Sequence, residues 1–181
     1  PRYVALAEEA ITDDRLIAMA VLKPGWETSY NDAPPVYPML CVGHISAHSR
    51  SPQGTFNILL KGIMRASILE ELPRKSLFRR VVARRVPMID VQDDVMLPRL
   101  LTLFHDRLTA QGAAADVMSM LANQSLDLDT LSDIMTFSMV DSLDDRRSLL
   151  EQHDPVRRAE RLFQLLAEPA GPDFPPPFSA N

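Results

Sequence analysis

The first half of the chain gathers its apolar residues in short runs and alternations, whereas the second half spaces them in helical steps. Residues 1–11, "PRYVALAEEAI", start with a proline and set Tyr3, Leu6, Ala7, Ala10 and Ile11 near helical spacing, which predicts a short helix. "LIAMAVL" (16–22) is uninterrupted and bounded by Asp13-Asp14 and Pro24-Gly25, so it predicts a fully buried strand. A polar, proline-bearing loop leads to "VYPMLCVGHISAH" (36–48), a strand whose Pro38 suits an edge or a strand start. "SPQG" (51–54) is turn chemistry, and "TFNILL" (55–60) alternates Phe56, Ile58 and Leu60, which completes an antiparallel hairpin. In "LLKGIMRASILEELP" (59–73) no single period holds, and Gly62 predicts a bulge or bend joining two β segments. "SLFRRVVARRVPMI" (76–89) predicts one further β segment.

From Asp93 the period changes. Leu97, Leu100, Leu101, Phe104 and Leu108 follow helical steps up to Gly112, a stop signal. "AAADVMSMLANQ" (113–124) predicts a second helix, and "LDTLSDIMTFSMV" (128–140) a third, opened by Asp127 or Asp129. Ser142 is placed to cap the next helix, and Asp154 followed by Pro155 is a strong start signal for the last. The proline-rich "PAGPDFPPPFSAN" cannot continue a helix. The pattern predicts an α+β chain in three parts. Residues 1–92 form a mixed, mostly antiparallel β lobe, either a bent sheet or a partly open barrel with one short helix. Residues 93–168 form a helical bundle, and 169–181 a tail.

Composition narrows the function more than it defines it. The chain has 181 residues, 46% of them hydrophobic and 24% charged, with a formal net charge of −5. That length supports a substantial core, and the acidic balance argues against a general nucleic-acid binder. The run 16–22 is the longest apolar stretch, far short of the roughly 20 residues that a membrane-spanning helix needs. No secretory pattern opens the chain, although it starts at Pro1 without a methionine. A single cysteine, Cys41, excludes an internal disulfide framework and suits the cytoplasm.

The order and spacing of several phrases resemble the substrate-binding N-terminal domain of Lon, the ATP-dependent protease. They are "PRY" with "LAEEAI", "IAMAVLKPGWE", "PVYPMLCVGHI", "GTFNILLKGIMRASILEE" and "DIMTFSMVDSLDDRRSLLEQHDPVRRAERLFQLLAE", together covering nearly all of 1–168. The last phrase is the most specific, passing from a form "RxxLLExxD" at Arg146–Asp154 to "PxxRxxRL" at Pro155–Leu162. In that family an apolar strand usually precedes the "PRY" helix. Here it is absent, cleaved or outside this chain, which would expose a sheet edge. Full-length Lon continues into an ATPase module and a Ser-Lys protease. No G-x-x-x-x-G-K-[ST] phosphate loop occurs, and Lys23, Lys61 and Lys75 all lie in the β half. The resemblance therefore implies a non-catalytic module without cofactors, either a stand-alone Lon-domain protein, which the wording "LKPGWE" and the short tail favour, or a fragment of a longer one. Its partners would be unfolded or damaged protein segments, and an ATPase or protease acting in trans.

Individual residues carry weaker signals. His44 and His48 are four apart, a metal-ligand spacing on a helix, but a strand separates them by about 13 Å at ~3.3 Å per residue. Cys41 beside them reads as a small core residue. Arg74, Lys75, Arg79, Arg80, Arg84 and Arg85 read as the solvated face of a strand meeting acidic neighbours, and not as a phosphate-tracking stripe, for want of stacking aromatics. Arg65, at a position where the family often has arginine, either anchors a partner's carboxylate or pairs internally to fix the bend. The loop at 24–37 offers Trp26, Tyr30, Pro35 and Tyr37, with Met39 following: rigid aromatic anchors for a protein partner, or a cover for the sheet's own core. Methionines on the helices fill the core or present an adaptable surface. Gly43, Gly62, Arg65, Asp154 and Pro155 are the structural landmarks. Self-association as a scaffold, and small-molecule binding by the aromatic loop, stand as alternatives to client binding.

Overall fold

Four strands follow one another across an open sheet: β1 (Leu16–Leu22), β2 (Val36–Arg50), β3 (Phe56–Glu71) and β4 (Val81–Val86). The computed structural model describes residues 1–30, 32–89, 91, 95–112 and 126–167, and the chain divides into two compact units, Pro1–Pro87 and Met88–Asn181. Every ladder of the sheet is antiparallel. This corrects the mixed sheet expected from sequence: no strand connection carries the α-helix that a parallel crossover uses. The sheet is not closed, and β1 and β4 are its two edges among the described residues.

The run 16–22 is a strand, but it is not buried. Ile17 alone in it is buried, while Ala18, Met19 and Ala20 are exposed. An unbroken apolar run marks a strand without revealing its place in the sheet, and β1 lies at an edge. The segment predicted over 76–89 shrinks to Val81–Val86; just before it the Arg80 carbonyl still accepts from the Leu72 N–H at 2.9 Å, while the Arg79 and Arg80 side chains pair with Glu71 and Glu9. Pro38 falls where the β1–β2 register shifts, between Ala20 opposite Leu40 and Leu22 opposite Val36. Such an irregularity admits a residue without an N–H donor into a central strand.

Two bulges bend the β2–β3 hairpin. Val42 pairs with Met64 and Gly43 with Gly62, leaving Ile63 unopposed. Three residues further along β2, Ile45 pairs with Leu60 and Ala47 with Leu59, leaving Ser46 unopposed. The Ser46 hydroxyl donates to the Leu59 carbonyl at 3.0 Å. The bend at Gly62 is thus a bulge within one continuous strand. At the hairpin tip, Gly54 has φ +83°, a left-handed turn conformation that an L side chain resists. Helix α1 (Arg2–Thr12) lays Ala10 against Ile17 and Ile45, with Leu6, Ile11, Ile58 and Leu60 around them.

The second unit holds α2 (Met96–Ala110), α3 (Leu128–Met139), α4 (Leu143–Glu151) and α5 (Pro155–Ala167). On α2, Met96, Leu100, Phe104 and Leu108 form a buried stripe against Leu131, Met135, Leu149 and Leu162. Asp127, not Asp129, caps α3, accepting from the Thr130 N–H at 2.7 Å, and Ser142 caps α4. Asp154 accepts from the Val156 N–H at 2.9 Å, so α5 opens at Pro155. Residues 113–124 and the tail at 169–181 lie outside the described residues.

Candidate functional site

Two features of the first unit offer themselves to a partner. One is the outer side of β1. Met19 is 57% exposed at the centre of a strand with no charge and no proline, and no strand lies beyond it among the described residues. The opposite edge, β4, carries Arg84 and Arg85. Charged side chains on an edge discourage pairing with another chain, and β1 lacks that protection.

The other is a crevice of about 360 Å³ lined by Pro1, Arg2, Tyr3, Tyr30, Asp32, Arg74, Leu77 and Arg79. Three separate stretches meet there: the start of α1, the middle of the aromatic loop and the turn between β3 and β4. The Arg2 guanidinium lies 5.0 Å from the centroids of both the Tyr3 and the Tyr30 rings. The two hydroxyls are 3.2 Å apart. That hydrogen bond, assisted by Arg2, lowers the Tyr3 pKa, and the same bond raises that of Tyr30. Arg79 grips Glu71 through two bonds of 2.7 and 2.6 Å and donates a third to the Pro34 carbonyl, which holds the Glu71 carboxyl below its usual range.

The residues singled out by sequence do not form one cluster. Trp26 meets Tyr30 edge-on with ring centroids 5.4 Å apart. Tyr37 instead lies under the Lys23 ammonium, 5.7 Å from its ring centroid. Pro35 is exposed, and Met39 belongs to the buried core, opposite Ser67. Arg65 is buried, opposite Cys41 on one side and Val86 on the other. His44 and His48 sit on β2, half-buried and exposed respectively, with Ser46 bulged between them. Among the described residues no three His, Cys, Asp or Glu side chains are grouped to hold a metal, and no helix is long and apolar enough to cross a membrane. Arg2, Tyr3, Arg74, Leu77 and Arg79 were not among the predicted binding residues. The basic stretch at 74–85 was the one available signal, and its partners lie too far away in sequence for spacing to show.

The substrate-binding domain of ATP-dependent protease La (LON) matches residues 1–168. The chain belongs to the Lon substrate-binding domain family. A Lon protease of Heliobacterium modesticaldum is 26% identical over 171 residues, and this chain spans only 20% of that protein's length. The N-terminal domain of the Mycobacterium avium complex Lon protease has a similar fold, with a TM-score of 0.63 and 15% identity over 84% of this chain and 90% of that one. A Lon N-terminal domain protein from Xanthomonas campestris gives 0.54 and 17%, covering 82% and 88%.

The family's most specific phrase does structural work in this Lon domain. Arg158 is 1% exposed, pairs with Asp129, lies 3.2 Å from Asp133 and donates to the Gln152 carbonyl at 2.9 Å. Arg161 pairs with Asp145 at 3.0 Å, and Arg147 with Glu151 at 2.9 Å. "PxxRxxRL" thus ties α5 to α3 and α4 through Arg158 and Arg161, and Arg146, the first residue of "RxxLLExxD", donates to the Val140 carbonyl at the end of α3, while the Arg147–Glu151 pair lies within α4.

Proposed function

We propose that this Lon domain is a non-catalytic binding module that engages extended or apolar segments of unfolded or damaged client proteins in the cytoplasm. The observation that carries this reading is membership in a substrate-binding family, and among the described residues the uncharged strand β1 at the side of the sheet offers a place for an extended segment. An extended segment added along Leu16–Leu22 would take up main-chain hydrogen bonds on its outer side and set an apolar side chain beside Met19. Such binding needs no cofactor, and any energy for unfolding would come from an ATPase or protease in trans.

Hydrogen exchange on the chain titrated with an unfolded client tests this: protection is expected along β1, and no protection anywhere would overturn it. Self-association through the same edge is the second reading, favoured by the same exposed strand. Sedimentation over a range of concentrations separates the two. The small-molecule reading lacks support, because the crevice takes in Tyr30 but neither Trp26 nor Tyr37.

A further inference from the structure

The crevice at the start of α1 has a charge pattern that the edge-strand reading does not use. Three guanidiniums, of Arg2, Arg74 and Arg79, meet two carboxylates: Asp32, and Glu71 held by Arg79. Arg79 is accordingly spoken for. Arg2 and Arg74 are held differently, each donating to a main-chain carbonyl of the same loop, Arg2 to Tyr30 and Arg74 to Asp32. A carbonyl fixes a guanidinium in place without neutralising it. Neither arginine forms an ion pair with a carboxylate side chain among the described residues, and the Arg74 charge reaches Glu71 only at longer range. Two oriented cations therefore border a cavity of about 360 Å³ that also presents the Tyr3 and Tyr30 hydroxyls and, at its rim, Leu77, 65% exposed.

Guanidiniums bind carboxylates through paired, charge-assisted hydrogen bonds, and hydroxyl donors add to them. The apolar Leu77 gives the neighbouring position something to rest on. We infer that the crevice is a carboxylate-reading subsite, which takes an aspartate or glutamate side chain of a bound protein segment with an apolar neighbour packed on Leu77. The inference rests on the client-binding reading and adds a sequence preference to it: acid next to apolar.

Trp26 is the sole tryptophan and lies edge-on to Tyr30, so its fluorescence reports on the crevice directly. The experiment titrates the full chain with three blocked peptides, identical except for glutamate, glutamine or lysine flanked by leucines. Anisotropy of a dye on each peptide reads total binding, and Trp26 emission reads the crevice. The glutamate peptide is expected to bind about tenfold more tightly than the glutamine one, with the lysine peptide weakest. Arg74→Gln and Arg2→Gln, each checked for native circular dichroism, should bring the glutamate peptide down to the glutamine level. Equal binding of the glutamate and glutamine peptides, with no change at Trp26, overturns the subsite while leaving client binding intact. Failure of all three to bind overturns client binding itself. Displacement of the glutamate peptide by millimolar inorganic phosphate, with no effect of the leucine neighbours, marks a general anion site and overturns the peptide assignment.

Discussion

Arg158 reaches Asp129 across the helical unit with its side chain 1% exposed, making it the largest fully buried side chain among the described residues. Two acids and the Gln152 carbonyl share that single cation. Removing one member of a buried pair strands the other, typically at a cost of about 3–5 kcal/mol. Arg158→Ala should lower the urea unfolding free energy by that amount. Asp129→Ala should cost less, since Asp133 and Gln152 remain with the arginine. Equal stability of Arg158→Ala and wild type would contradict the role given to this residue.

Met19→Lys places a charge at the centre of β1. Because Met19 is 57% exposed, the substitution should leave stability within about 0.5 kcal/mol of wild type. Client peptides should nevertheless lose affinity, and exchange protection along Leu16–Leu22 should vanish. A variant that binds clients normally would remove β1 from the proposed function.

The bidentate Glu71–Arg79 pair makes stability depend on pH in a definite direction. The arginine holds the Glu71 carboxyl below its unfolded value, so its contribution is present above about pH 4.3 and is lost as pH falls through the depressed folded value. Glu71→Gln should therefore be less stable than wild type at neutral pH, and the gap should close in acid. Parallel stability curves down to the lowest accessible pH would contradict the pairing.

Gly54 and Gly62 should respond oppositely to alanine. Gly54 has φ +83°, where a side chain costs about 1–2 kcal/mol. A Cβ on Gly62 would meet the Cys41 sulfur at 3.4 Å, an ordinary contact, and alanine relieves backbone entropy in the unfolded chain. Thermal melts should show Gly54→Ala lowered and Gly62→Ala unchanged or slightly raised.

Alkaline titration followed by ultraviolet absorbance probes the crevice. Tyr3 should ionise before Tyr30, on either side of the usual value near 10. Tyr30→Phe removes the main hydrogen bond that lowers Tyr3, so Tyr3 should move up. Insensitivity of Tyr3 to this change would break the hydroxyl pair.

The helical unit was the more legible half because its signals are local. Asp154 and Pro155 start α5, and the stripe from Leu100 to Leu108 points inward, with nothing distant needed to decide either. The sheet obeyed its local signals as well, including the bulge beside Gly62. Strand neighbours were not legible: "LIAMAVL" reads the same whether covered on both faces or left at an edge. The crevice was hidden for a related reason. Arg2, Tyr30 and Arg74 lie 28 to 42 positions apart in their hydrogen-bonded pairings, and only the fold brings them together. The same holds for Arg158, whose motif was visible while its two acids, 25 and 29 positions earlier, were not.

The bulges at Ser46 and Ile63 stand on opposite strands, and the register lost at one is regained at the other. Side chains in a strand alternate between faces, so losing one bulge alone would turn every position beyond it inside out relative to its partner. The hairpin can therefore lengthen or shorten here only by matched steps, one residue on each strand. Deletion of Ile63 together with Ser46 would leave a straighter sheet with its facing pairs preserved, whereas either deletion alone would exchange core for surface along the hairpin arm.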